Sequence, residues 1–269
     1  MSSPKSNTIL EAKNITMQFG GLVAVDNFNF QVGDRDLVGV IGPNGAGKTT
    51  IFNMLTGMYT PTKGQVKLAG EDITGLRPFE ITQKGMVRTF QNIRLFKDLS
   101  VLDNIRLAGH FRLQYGLVSS LIRGKGFKSE EAKLVAEARD LLKIFHLENK
   151  ENSLAKNLPY GEQRRLEMAR ALASKPKILL LDEPAAGMNP NETKDLTKLI
   201  RWIRDHFQLA IVLIEHDMSL VMNVCEHIHV VDHGVKIAEG APKEIQNNQA
   251  VIEAYLGAEA EDHNAGGVH

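Results

Sequence analysis

Residues 37–55 read LVGVIGPNGAGKTTIFNML, and this stretch decides the fold. Leu37 to Ile41 is an unbroken apolar run, the pattern of a short strand buried on both faces. Gly42-Pro43-Asn44-Gly45-Ala46-Gly47-Lys48-Thr49 follows and fits GxxxxGK[ST], and the segment through Phe52 and Leu55 has helical period. This order of strand, glycine-rich loop and helix lets backbone N–H groups converge on an anion, because glycines remove Cβ clashes and the helix N-terminus adds positive potential. Lys48 then reaches the outer phosphates of a nucleoside triphosphate, and the Thr49 hydroxyl can hold Mg²⁺. Residues Gly42 to Thr49, with Thr50, form the expected nucleotide cradle.

Outward from this unit, two more buried strands read at Ile178 to Leu181 and Leu209 to Ile214, each after a segment of helical period. That alternation predicts a parallel α/β sheet, whose ligands sit at the carboxyl ends of its strands. Toward the N-terminus, Ile9 to Phe19 and Phe28 to Val32 alternate apolar and polar residues around Gly20-Gly21 and Gly33-Asp34, as strands of a half-solvated antiparallel layer do. Asp232-His233-Gly234 predicts a hairpin turn from His227–Val231 into Val235–Ala238. From about Val101 to Asn157 the pattern is helical: Leu134, Ala138, Leu141, Leu142 and Phe145 share one face, and Ser129 is the expected cap. The apolar stretch Phe111 to Lys128 reads equally as core or as a partner-docking surface. The expected organisation is one domain over 8–257 with a helical subdomain, about 101–172, inserted, and a disordered tail over 258–269.

The chain has 269 residues, enough to bury a core without staples. Its Lys plus Arg and Asp plus Glu are equal at 32 each, so net charge gives no reason to expect nucleic acid as a partner. Cys225 is the single cysteine, which excludes an internal disulfide; with no His/Cys cluster at metal spacing, the linear sequence offers no zinc site. The first residues lack a signal-peptide pattern and no apolar run is long enough to span a bilayer. The reading is therefore a soluble protein suited to a reducing cytosol, with any membrane role carried by a partner.

Chemistry gathers at the ends of the buried strands. Ile178-Leu179-Leu180-Leu181-Asp182-Glu183 sets two carboxylates at a strand mouth, the first suited to the Mg²⁺ shell and the second to polarising an attacking water. Leu209 to Ile214 delivers Glu215-His216-Asp217 to the same edge. Taken alone, a terminal Asp-Glu pair or a lone histidine is more often structural; together with the phosphate loop they make a site.

In order along the chain, the phosphate loop at 42–49, Gln91 after Arg88-Thr89-Phe90, LPYGEQRRLEMARAL at 158–172, LLLDEP at 179–184 and His216 resemble an ATP-binding cassette (ABC) ATPase, over roughly residues 8–257. The resemblance implies an α/β P-loop NTPase core with an N-terminal antiparallel β layer and a helical subdomain. It implies that Phe19 stacks on adenine, that Gln91 joins Mg²⁺ and the γ-phosphate to a partner-facing surface, that Glu183 is the catalytic base, and that His216 contacts the γ-phosphate. Metal ligands are then Thr49, Asp182 and Gln91, and Gly161 and Glu162 of the signature meet the ATP of an opposite subunit. Two departures stand out. Pro159 replaces the signature serine, so that hydroxyl contact is not carried over, and Ala186-Gly187-Met188-Asn189 stands where the family usually has SALD. With FQNIRLFKDLSVLDN at 90–104 and EPAAGMNP at 183–190, these forms are most similar to the ATPase subunits of bacterial importers for branched-chain amino acids.

The implied partners are integral-membrane permease subunits, a second ATPase subunit, identical or different, and indirectly a solute-binding protein, at the cytoplasmic face of the inner membrane. One rival is a soluble cassette acting on ribosomes or DNA, which usually joins two cassettes or carries a long insertion; neither is present. An importer ATPase for another small solute is a second. A P-loop kinase or GTPase is a third, opposed by the signature segment and His216.

Overall fold

The computed structural model describes residues 7–110, 125–216 and 218–256. The stretch 111–124, Asp217 and the tail over 258–269 lie outside the described residues, as do the side chains of 125–128. The chain divides into two compact units, one of Met1–Met86 with Lys177–His269, the other of Val87–Pro176.

The first unit carries two sheets. The alternating N-terminal segments form β1 (Thr8–Phe19) and β2 (Leu22–Gly33), joined by the two-residue turn Gly20-Gly21, with Phe19 opposite Leu22. β4 (Lys63–Leu68) and β5 (Glu71–Asp72) complete an antiparallel sheet of order β2-β1-β4-β5. The unbroken apolar runs become β3 (Leu37–Ile41), β7 (Ile178–Asp182) and β8 (Ala210–Ile214), every residue of which is buried. With β6 (Met86–Arg88), β9 (His227–Asp232) and β10 (Val235–Gly240) they make a six-stranded sheet of order β10-β9-β3-β8-β7-β6. β9, β3, β8 and β7 run parallel, and β10 returns antiparallel to β9. The predicted turn is present: Asp232 pairs with Val235, and His233 and Gly234 both have positive φ, 43° and 79°, which a two-residue primed hairpin turn requires.

A single apolar cluster joins β2, β3 and the helix α1 (Lys48–Leu55): Phe28, Phe30, Val38, Val40, Ile51, Phe52 and Leu55 are all in it. Removing a side chain such as Phe52 from water contributes about 1.5–3 kcal/mol. The loop after β3 is thus anchored at both ends by core.

After the short helix α2 (Pro78–Lys84) of the first unit, the second unit is built from α3 (Val101–His110), α4 (Lys125–Ile144) and α5 (Tyr160–Ala173), which pack on one another. The expected face of Leu134, Ala138, Leu141, Leu142 and Phe145 is buried. Because α4 already runs from Lys125, Ser129 lies within the helix and does not cap it. Among the described residues, no helix is long and apolar enough to cross a membrane.

Candidate functional site

Because β8 lies between β3 and β7, the carboxyl ends of these three strands are neighbours. The loop after β3, Glu183 after β7 and His216 after β8 therefore meet at one edge of the sheet. Glycine is required in the loop for steric reasons. Gly42 has φ +154°, and a Cβ there would stand 1.9 Å from the carbonyl oxygen of Val231; Gly47, at φ +99°, would meet Ala24 O at 2.7 Å. The loop backbone is thus pressed against β9 and β2, and Gly234 N donates to Ala46 O at 2.9 Å.

Gly47 caps α1 without a side-chain hydrogen bond, and the first turn holds no acidic residue, so its N–H groups and positive end remain available to an anion. Lys48 is buried, with its ammonium donating to the carbonyls of Gly42 and Pro43, each at 2.7 Å. Burial lowers its pKa and the nearby Glu183 carboxylate opposes that shift. Thr49 is exposed and Thr50 half-buried in the first turn of α1.

Asp182 ends β7 and is buried. The next residue, Glu183, has φ +46°, a left-handed conformation costing a non-glycine residue about 1–3 kcal/mol. Its N–H donates to Ile214 O at 2.9 Å. Its carboxylate lies 3.9 Å from His216 Nδ1, and the imidazole is exposed. Sequence reasoning assigned no role to Glu215, yet it is fully buried and holds this corner together. Its two carboxylate oxygens accept from Ala185 N at 2.8 Å and His216 N at 3.1 Å, binding the segment after β7 to the end of β8. Its position at a strand end next to His216 was the available signal.

Phe19 ends β1 with its ring exposed and in edge contact with Tyr59 at 5.3 Å, so it is a surface aromatic and no part of the core. Asn189 is a helix cap: its side chain accepts from Asn191 N and Glu192 N at 3.0 and 3.1 Å, and Glu192 accepts from Asn189 N at 2.8 Å. This capping box starts the helix Pro190–Phe207.

The second unit holds the other expected residues. Pro159 precedes the first turn of α5 with no side-chain cap. Gly161 is half-buried, and the Glu162 carboxylate is engaged by Lys150 Nζ at 2.7 and 2.6 Å. One turn on, Arg164 and Glu167 form an ion pair at 3.2 Å with side chains only 4% and 2% exposed. This buried pair grips the segment carrying Gln91. Arg164 donates to the carbonyls of Phe90, at 2.7 Å, and Gln91. Glu167 Oε1 accepts from Arg94 N at 3.3 Å and Phe90 N at 3.5 Å. Burial raises the Glu167 pKa although these N–H groups and Arg164 pull it down. Nearby, Phe96 is exposed with the Arg170 guanidinium 5.6 Å over its ring, and Leu95 is half-buried.

A glycine-rich phosphate cradle at the mouth of a parallel sheet, with acidic and histidine side chains delivered by the neighbouring strands, defines a P-loop nucleotide-hydrolysing ATPase. The family model for ABC transporters matches residues 25–186, and the chain belongs to this ATP-binding cassette family. A second model, described as branched-chain amino acid ATP-binding cassette transporter, matches residues 235–261. The chain is 47% identical over 252 residues to the high-affinity branched-chain amino acid transport ATP-binding protein BraF of Pseudomonas aeruginosa, covering 94% of this chain and 99% of that protein. It is 46% identical over the same length and coverage to LivG of Escherichia coli, which carries the same description. Among solved structures, the ADP conformation of MJ1267, an ATP-binding cassette of an ABC transporter, superposes with TM-score 0.80 at 32% identity, over 93% of this chain and 99% of that one. Cassettes of this kind bind nucleotide.

Proposed function

We propose that this chain is the ATP-hydrolysing motor subunit of an importer for branched-chain amino acids, seated on separate permease subunits at the cytoplasmic face of the membrane. One observation carries the motor reading: β3, β8 and β7 deliver the phosphate loop, His216 and Asp182-Glu183 to one sheet edge. The match of residues 235–261 and the BraF and LivG relatives support the substrate class.

In this reading Lys48 leaves its loop carbonyls for the β and γ phosphates while the loop N–H groups hold the rest of the chain of phosphates. Thr49, Asp182 and Gln91 carry hard oxygen donors that suit Mg²⁺, and the buried Asp182 carboxylate ends a strand at the same sheet edge as the phosphate loop. Bound Mg²⁺ supplies charge neutralisation at the phosphates. Glu183 orients the attacking water and accepts its proton, His216 contacts the γ-phosphate, and Phe19 offers its exposed ring to the adenine. Gly161 and Glu162 act on the ATP of a second ATPase subunit, and the surface around Gln91, Leu95 and Phe96 meets the permease.

Solubilised native membranes decide the matter. Pull-down of this chain should recover integral-membrane permease subunits, and the complex should hydrolyse ATP faster when a branched-chain amino acid and its binding protein are added. Recovery with ribosomes or DNA, or hydrolysis indifferent to any amino acid, would overturn the reading.

A further inference from the structure

We propose that the β9–β10 hairpin carries a transition-metal site of zinc type, formed by His227, His229 and Glu239. The linear sequence offered no such cluster, because its third member comes from the next strand. Strand period puts His227 and His229 on one face of β9, and the antiparallel ladder sets Glu239 of β10 directly opposite His229. One donor atom from each of the three falls within 4.8 Å of the others. The tightest approach, His229 Nδ1 to Glu239 Oε2, is 3.2 Å. Two ligands bound tetrahedrally at about 2.0–2.2 Å from one ion stand roughly that far apart.

His229 needs an explanation of its own. It is 4% exposed, and neither ring nitrogen makes a well-aligned hydrogen bond, Nδ1 only approaching Glu239 Oε2 at 3.2 Å, whereas buried polar groups nearly always find a partner. The rings of Phe30 and Phe28 pack on it edge-on at 4.9 and 6.4 Å, and the His227 ring lies 4.9 Å away. Two imidazoles and one carboxylate are a donor set for zinc with a fourth position left to water.

The titratable and charged groups facing the site are His227, Glu239 and Lys236, whose ammonium bonds Glu239 Oε2 and Asn29 O. Lys236 is therefore the cation that a metal must displace from Glu239. The hairpin turn beyond the site donates Gly234 N–H to Ala46 O of the phosphate loop, so an ion there ties the edge strand to the strand that backs that loop.

The test uses the full chain, tag removed and nucleotide-free, titrated with Zn²⁺ by calorimetry and with Co²⁺ by visible absorption. One equivalent should bind, Co²⁺ should show the intense bands of tetrahedral coordination, and Zn²⁺ should raise the melting temperature. His227→Gln and Glu239→Gln, at positions open to solvent, should each weaken binding at least about tenfold, His206→Gln should leave it unchanged, and Lys236→Met should tighten it. Absence of one-to-one binding, or binding untouched by His227→Gln and Glu239→Gln, would overturn the proposal.

Discussion

Replacing Arg164 with methionine should destabilise the 87–176 unit by about 3–5 kcal/mol and loosen the backbone around Gln91, the penalty typical of breaking one side of a buried ion pair. The guanidinium and the Glu167 carboxylate are almost wholly out of water and 3.2 Å apart. Burial raises the Glu167 pKa even with Arg164 present, so desolvation outweighs attraction for this carboxylate and its partner cannot be removed cheaply. Arg164→Met also deprives the Phe90 and Gln91 carbonyls of charge-assisted donors, each worth about 1.5–3 kcal/mol. These losses overlap with the pair penalty and do not add to it, because one side chain makes all three interactions. Urea unfolding reads the stability, and amide exchange of the peptide 88–96 reads the loop. The double variant Arg164→Met, Glu167→Leu removes both charges and should regain most of the stability, yet amides 90 and 94, which donate to Glu167, should stay unprotected. ATP binding should survive in both variants while hydrolysis falls, since the phosphate loop belongs to the other unit. A loss under about 1 kcal/mol for Arg164→Met, with exchange at 88–96 unchanged, would refute the idea that this pair holds the Gln91 segment.

Lys48→Ala should abolish tight ATP binding, because Lys48 is the buried cation of the cradle; affinity within about threefold of the parent in a fluorescent-nucleotide titration would count against the site. Glu183→Gln should still bind ATP but hydrolyse it roughly 10²–10⁴-fold more slowly, whereas Asp182→Asn should weaken the Mg²⁺-dependent part of binding; hydrolysis by Glu183→Gln within about fivefold of the parent in the permease complex would make Glu183 structural. Phe96→Asp should impair transport and leave both ATP binding and the melting temperature near the parent, since its ring is exposed; a lower melt with loss of soluble protein would show that the ring serves the fold instead.

Local rules carried the fold a long way. The unbroken apolar runs at 37–41 and 178–181 had the pattern of strands covered on both sides, and the glycines between Ile41 and Lys48 read as a loop in which backbone groups converge; at Gly42 a Cβ would meet Val231 O. The turn at His233-Gly234 was legible for the same reason, a conformation few residue pairs adopt. Ser129 misled because a good capping residue says where a helix can begin, and α4 begins earlier. What stayed hidden were pairings between distant segments. Nothing local to Arg164 or Glu167 says that they will bind the backbone at 90–94, and His229 becomes a candidate ligand only once β10 brings Glu239 across from it.

The two glutamates at adjacent strand ends show how far type and position can be separated from role. Glu183 and Glu215 each follow a fully buried apolar strand, and a reading of periodicity treats them alike. Glu215 is sealed from solvent, its two oxygens accept from the main-chain N–H groups of Ala185 and His216, and His216 Nδ1 lies 3.9 Å from it as well, so its work is to fix the corner. Glu183 is turned by its left-handed backbone into a different setting, close enough to Lys48 for their charges to interact and 3.9 Å from His216. That backbone conformation costs energy, and the hydrogen bonds Glu183 N to Ile214 O and Ala185 N to Glu215 are what hold it. The buried glutamate therefore supplies the restraint that lets the other carboxylate face the phosphate loop, and the strain sits where the chemistry is proposed.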